Sequence, residues 1–159
     1  MRRMPLTTST RIARCAIPWE AAGHLPEAEE WLRQAVRIMP NDYKAHLSLC
    51  KCLRQQGKAE ADAEQKRTDA LRDRWKRYNE LTTHLLSQRP NDPALQCELG
   101  KLMLELGLPE AGRNWLLGAL RLDERYAPAL TALADYYQQQ GDTELAEEYR
   151  QRARSSAHP

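Results

Sequence analysis

Phenylalanine is missing from this 159-residue chain, and glycine occupies only seven positions. β-Branched residues are sparse and nowhere alternate with polar ones over a strand length, which removes the pattern a half-buried sheet requires. No apolar run exceeds a few residues, so no segment suits a bilayer-spanning helix. The start, Met1-Arg2-Arg3-Met4-Pro5, leads into Thr and Ser and not into the apolar core of a signal peptide, which sets a cytoplasmic location as the expectation. An excess of one charge is also lacking: 24 basic and 22 acidic side chains leave a net +2, too near balance to steer the chain toward nucleic acid or an anionic membrane. The sequence holds no Gly-x-Ser-x-Gly, no His-Glu-x-x-His, no phosphate-cradling Gly-rich loop and no dinucleotide fingerprint. No enzyme and no cofactor are expected.

What is present is 42% hydrophobic residues, dominated by Leu and Ala with four Trp and six Tyr, enough for a buried core of packed helices. Cys15, Cys50, Cys52 and Cys97 are even in number, but a helical chain of this length needs no disulfide to complete its core. Cys50 and Cys52, two apart, lie on nearly opposite sides of a helix. His46 and Cys50 share a face at four-residue spacing, which suits a metal. No second His or Cys pair exists to complete a four-ligand site, so both read as core residues and no metal is expected.

Internal periodicity is the strongest signal. Gly23, Gly57, Gly107 and Gly141 are separated by 34, 50 and 34 residues, and the columns around them align. Eight residues before each glycine stand Cys15, Leu49, Leu99 and Leu133; seven before stand the small residues Ala16, Cys50, Gly100 and Ala134. Trp19, Leu53, Met103 and Tyr137 precede the glycines by four. After them come Ala28, Asp62, Gly112 and Ala146 at five, Trp31, Gln65, Trp115 and Tyr149 at eight, and Ala35, Asp69, Ala119 and Ala153 at twelve. Asp62, Gln65 and Asp69 make the second unit depart from each of these later columns. Small residues let neighbouring helices approach and large ones fill the gaps, so the columns describe packing.

On these columns the chain resembles the tetratricopeptide-repeat family, whose period is 34 residues and whose units pair two antiparallel helices. The resemblance implies an all-α, right-handed α-solenoid of helix-turn-helix repeats, with about eight helices in units near 9–42, 43–92, 93–126 and 127–154 and loose termini at 1–8 and 155–159. Prolines agree: Pro26, Pro93, Pro109 and Pro128 stand at helix starts and Pro40 and Pro90 beyond helix ends, while Pro18 falls inside a helix and should kink or shorten it. The first unit looks like a worn or truncated end, so that the chain resembles the C-terminal part of a longer bacterial tetratricopeptide-repeat protein; the alternative is an ordinary divergent terminal cap. The second carries sixteen extra residues, and Ala59 to Ser87 lacks both Gly and Pro, which predicts one helix of nearly thirty residues with Arg72–Arg74 as the place for any break.

The resemblance also implies a non-catalytic scaffold that holds a peptide segment or partner helix along its first helices. Carried over, the partner-binding stripe is Lys44, Leu47, Lys51 and Arg54 in the second unit, Ala94, Cys97, Lys101 and Leu104 in the third, and Pro128, Thr131, Asp135 and Gln138 in the fourth. A groove cationic toward the second unit suits an acidic or amphipathic partner. The Lys/Asn clamp of the chaperone-tail-binding branch is lacking: its places hold Leu47, Lys51, Glu98, Pro128 and Ala132, or, one unit earlier, Ala13, Ile17, Ser48, Ala94 and Glu98. The alternative is a basic nucleic-acid-associated helical module, carried by Lys66, Arg67, Arg72, Arg74, Lys76 and Arg77 beside Trp75 and Tyr78. Asp69 and Asp73 interrupt that stretch, and its cations point in several directions, which favours a solvated helix face. Leu145, Ala146, Tyr149 and Ala153 give the last helix one apolar side and leave its other faces polar.

Overall fold

The computed structural model describes residues 24–156. The turn expected at Gly23, the first helix of the first unit and its kink at Pro18 lie outside them. Among the described residues every regular element is helical: α1 (Leu25–Ile38), α2 (Tyr43–Gln55), α3 (Glu60–Glu80), α4 (Pro93–Glu105), α5 (Pro109–Leu122), α6 (Ala127–Gln140) and α7 (Thr143–Ser156). The fold is all-α and tetratricopeptide-like. The chain forms two compact units, Met1–Asp73 and Arg74–Pro159.

Local chemistry sets the ends of these helices. Asp42 and Asp92 sit just before α2 and α4, and their side chains accept hydrogen bonds from the backbone N–H groups of Lys44 (3.0 Å) and Ala94 (2.9 Å) that a helix N-terminus leaves unpaired. Pro93 and Pro109 occupy first-turn positions where the missing N–H costs nothing. Gly57, Gly107 and Gly141 all have φ between +68° and +84°, a conformation that costs other residues about 1 kcal/mol or more. Each closes its helix the same way: Lys58, Leu108 and Asp142 donate back to the carbonyls of Leu53, Met103 and Tyr137. The three expected turns are therefore one recurring C-terminal motif.

The extra residues of the second repeat, near 43–92, are helical, as their composition predicts. α3 runs unbroken through Arg72–Arg74, widens to a π-helical turn at Leu81–Leu85 and resumes over Leu86–Gln88 before Pro90. The backbone N–H of Leu86 reaches the carbonyl of Leu81, five residues back. Thr82 and Thr83 donate their hydroxyls to the carbonyls of Tyr78 (2.9 Å) and Asn79 (2.6 Å), competing with the regular ladder where it widens.

In the first unit the core gathers Ala28, Leu32, Leu49, Cys52, Leu53 and Ala61. Here the columns after Gly57 are filled one residue early: Ala61, Glu64 and Thr68 are buried, whereas Asp62 is exposed and Gln65 and Asp69 lie at the edge. Cys50 Sγ stands 3.4 Å from the carbonyl of Ala61, the close approach its small-residue column predicts. The shift seats Glu64 against His46, and both are more than nine-tenths buried. His46 Nε2–H donates to the carbonyl of Pro40 at 2.9 Å, and one further proton, on Nδ1 or on the carboxyl group, joins the ring to Glu64. No group of three or more metal-ligating side chains occurs among the described residues.

In the second unit α4 and α5 meet at two glycines. A Cβ on Gly100 would lie 3.0 Å from the carbonyl oxygen of Gly112, and one on Gly112 would lie 2.8 Å from that of Gly100. Leu81, Leu95, Leu99, Leu102, Met103 and Leu106 form one cluster, with Trp75, Tyr78 and Trp115 packed on it. Leu116, Ala119, Leu130 and Leu133 centre another, which carries Tyr137 and Tyr149, stacked at 5.5 Å. α7 runs through Ser156, two residues into the stretch expected to be loose, and the Ser155 and Ser156 hydroxyls bond back to Gln151 and Arg152.

Candidate functional site

The first helices of the helix pairs are α2, α4 and α6, and the stripe residues can be placed on each. On α2, Lys44, Lys51 and Arg54 are exposed and Leu47 is half-buried. On α4, Lys101 is exposed. On α6, Thr131, Asp135 and Gln138 are all exposed, Thr131 with its hydroxyl returned to the carbonyl of Ala127 at 3.0 Å.

Two α4 residues do not belong to an open face. Cys97 is 2% exposed, packed in the cluster of Leu116, Ala119 and Leu130, and burial pushes its thiol up from the usual range. Leu104 is half-buried, with Cγ and Cδ2 lying over Gly112 where α4 crosses α5. The cause is rotational. At about 100° per residue a three-residue step falls short of a full turn by about 60°, which carries Cys97 and Leu104 around from Ala94 toward α5. The open stripe of α4 follows steps of four, three and four residues instead, through Ala94, Glu98, Lys101 and Glu105. Sequence spacing alone missed Glu98 and Glu105, although the glycine at position 112 signals that something must lie on it.

The charges on these helices differ in their engagement. Glu98 receives Arg77 Nε at 2.6 Å and Nη2 at 2.8 Å, and Glu105 receives Arg74 Nε at 2.8 Å. Glu98 first, then Glu80, raises Arg77 above its ordinary range. Arg72 pairs with Asp69, and Arg67 lies 3.7 Å from Glu64. Trp75 and Tyr78 meet edge to face at 5.5 Å against the second unit's core. Four of the six cations in Lys66–Arg77 thus face carboxylates, and its aromatics pack inward, unlike a phosphate-binding stripe with stacking platforms. By contrast, among the described residues no Lys or Arg of α2 or α4 meets a carboxylate: Lys44, Lys51 and Lys101 have no side-chain hydrogen bond or ion pair, and Arg54 donates only to Gln65 at 3.4 Å.

Glu29 on α1 ties α1 to the end of α2 and the start of α3: it accepts from Lys58, Arg33 and Gln56, while Arg33 also reaches Glu60. Burial alone would raise the Glu29 carboxyl. Lys58, Arg33 and Gln56 outweigh it and hold the group below the ordinary carboxylate range. No helix among the described residues is long and apolar enough to cross a membrane.

A family model for the tetratricopeptide repeat matches residues 127–153, the α6–α7 pair. No curated protein matches the sequence significantly. Among solved structures, a crystal structure of MamA aligns over 97% of this chain and 96% of its own at 12% identity and a TM-score of 0.50, a likeness of fold. A MamA structure designated MSR-1 aligns over 94% of this chain and 76% of its own at 17% identity, TM-score 0.49. The pilF protein of Pseudomonas aeruginosa does so over 93% and 76% at 21% identity, TM-score 0.44. The chain is an all-α protein of tetratricopeptide-type helix pairs, and residues 127–153 are a tetratricopeptide repeat.

Proposed function

We propose that this protein is a non-catalytic interaction scaffold that takes a protein segment along the exposed faces of its first helices. In the first unit that face is Lys44, Lys51 and Arg54 on α2, with Leu47 at its edge; in the second it is Lys101 on α4 and Thr131, Asp135 and Gln138 on α6. One observation carries the proposal. Among the described residues the Lys and Arg side chains of α2 and α4 have no acidic partner, whereas those of α3 that flank its aromatics are largely neutralised in place. Unpaired charge on a helix face adds little to stability and is available to a complementary surface. The α2 face calls for an acidic segment, while the α4–α6 residues offer one cation, one carboxylate and neutral hydrogen-bonding groups.

The test is the triple change Lys44→Glu, Lys51→Glu and Arg54→Glu, with binding of acidic peptides followed by surface plasmon resonance at several salt concentrations. The association rate should fall and lose its salt dependence, and the helical melt should stay within about 0.5 kcal/mol of wild type because the sites are exposed. Equal binding by both proteins at low salt would remove the α2 face from consideration.

A further inference from the structure

From the spacing of charge on α2 we infer the form of its partner: an acidic amphipathic helix, laid along α2 with heptad spacing. The inference rests on the proposed use of the first-helix faces and narrows it to one helix of the first unit.

Lys44, Leu47, Lys51 and Arg54 fall at offsets of zero, three, seven and ten. That is the seam spacing of a left-handed helix pair, in which a partner crossing at about 20° keeps contact over successive turns. α2 is 13 residues long, about 20 Å at 1.5 Å per residue, and the four residues span about 15 Å of it. Three of them are exposed cations, and the fourth, Leu47, is half-buried between the first two. An apolar site bracketed by unpaired cations matches one face of a helix that carries acids around an apolar residue.

The rise along the chain discriminates between partner conformations. A helix alongside α2 advances at the same 1.5 Å per residue. Acids at j, j+7 and j+10 with an apolar residue at j+3 therefore meet all four positions in the parallel direction, and acids at j, j+3 and j+10 with an apolar residue at j+7 meet them in the antiparallel one. Lys44 and Lys51 are about 10.5 Å apart along the axis, which is about three residues of a strand, and residues three apart in a strand point to opposite faces. A polyproline helix returns to the same side after three residues and about 9 Å, so it meets Lys44 and Lys51 but then falls out of step with Arg54. Only a helical partner serves the whole set. The acids near this face do not compete: Asp42 caps the α2 N-terminus through Lys44 N–H, and Asp69 is taken by Gln65 and Arg72.

The experiment uses the full chain and synthetic acidic peptides read by fluorescence anisotropy, with circular dichroism of the bound peptide. Three probes share one composition, a helix-forming peptide in each register and a sequence-scrambled control, and a fourth carries the same acids but is held extended by internal prolines. One registered helix should bind about tenfold more tightly than the scramble, gain helicity on binding, and lose that margin against the K44E/K51E/R54E protein. A peptide with Lys replacing its acids should regain affinity for that variant. Preferential binding of the proline-held peptide, abolished by the same triple change, would overturn the helical form while leaving the α2 face as the site. Failure of every acidic peptide to distinguish wild type from the triple variant would overturn both.

Discussion

Replacing His46 and Glu64 singly and together by leucine tests the polar contact at the heart of the first unit. Each side chain is more than nine-tenths buried, with His46 spanning the Pro40 carbonyl and the Glu64 carboxylate. Losing His46 leaves the buried Glu64 carboxyl group with only Arg67 at 3.7 Å, and losing Glu64 leaves His46 Nδ1 buried without its partner, which costs about 3 kcal/mol or more for a buried pair. Losing both removes the stranded group and puts apolar side chains of similar volume in its place. The double variant should therefore be destabilised by much less than the sum of the singles, with a coupling of about 2 kcal/mol. Urea melts followed by far-UV circular dichroism read all three variants. If the double variant's loss equals the sum of the single losses to within about 0.5 kcal/mol, the pair is not coupled and α2 does not pack on α3 through His46 and Glu64.

Leu99→Ala and Leu133→Ala, each at a fully buried site, should cost about 2–5 kcal/mol in denaturant melts, and a loss under half a kcal/mol would remove them from the core. Gly112→Val should destabilise by about 1–3 kcal/mol, because even a Cβ there would lie 2.6 Å from Leu104 Cδ2 and 2.8 Å from the Gly100 carbonyl, and the backbone cannot swing aside as a side chain does. Glu29 is held below its ordinary carboxyl value of 4.5, so its contribution is fully present above that value and is lost as pH falls through the lower folded one. Acid titration of the melting temperature should accordingly be flatter below that pH for Glu29→Gln than for wild type; parallel curves would show that Lys58 and Arg33 do not hold the carboxylate.

Much of the fold was legible because its punctuation is backbone chemistry. Gly57, Gly107 and Gly141 stand where positive φ is required, and Pro93 and Pro109 where a helix begins, so the turns and starts follow from residue type alone. The long third helix was legible from the absence of breakers, but its π turn was not, since Thr82 and Thr83 are common in regular helices and act here through their hydroxyls. Asp62, Gln65 and Asp69 looked like lost columns. The columns persist one residue earlier as Ala61, Glu64 and Thr68, a phase slip that column counting from Gly57 cannot see and that the buried His46–Glu64 contact reveals. On the candidate face, Lys44, Lys51, Arg54, Lys101, Thr131, Asp135 and Gln138 are exposed as their spacing implies, whereas Cys97 and Leu104 drift into the α4–α5 contact. A Leu or Cys on a cationic stripe reads the same in sequence whether it awaits a partner or fills a crossing, and only the neighbouring helix decides.

The central claim, that the first-helix face of α2 receives an acidic partner, is tested most directly by mapping backbone amide shifts by NMR during titration with the registered acidic helix. The shifts should concentrate on Lys44, Leu47, Lys51 and Arg54 and vanish in the triple Glu variant. Shifts concentrated instead on Lys66 to Arg77 of α3, or spread over α7, would contradict it.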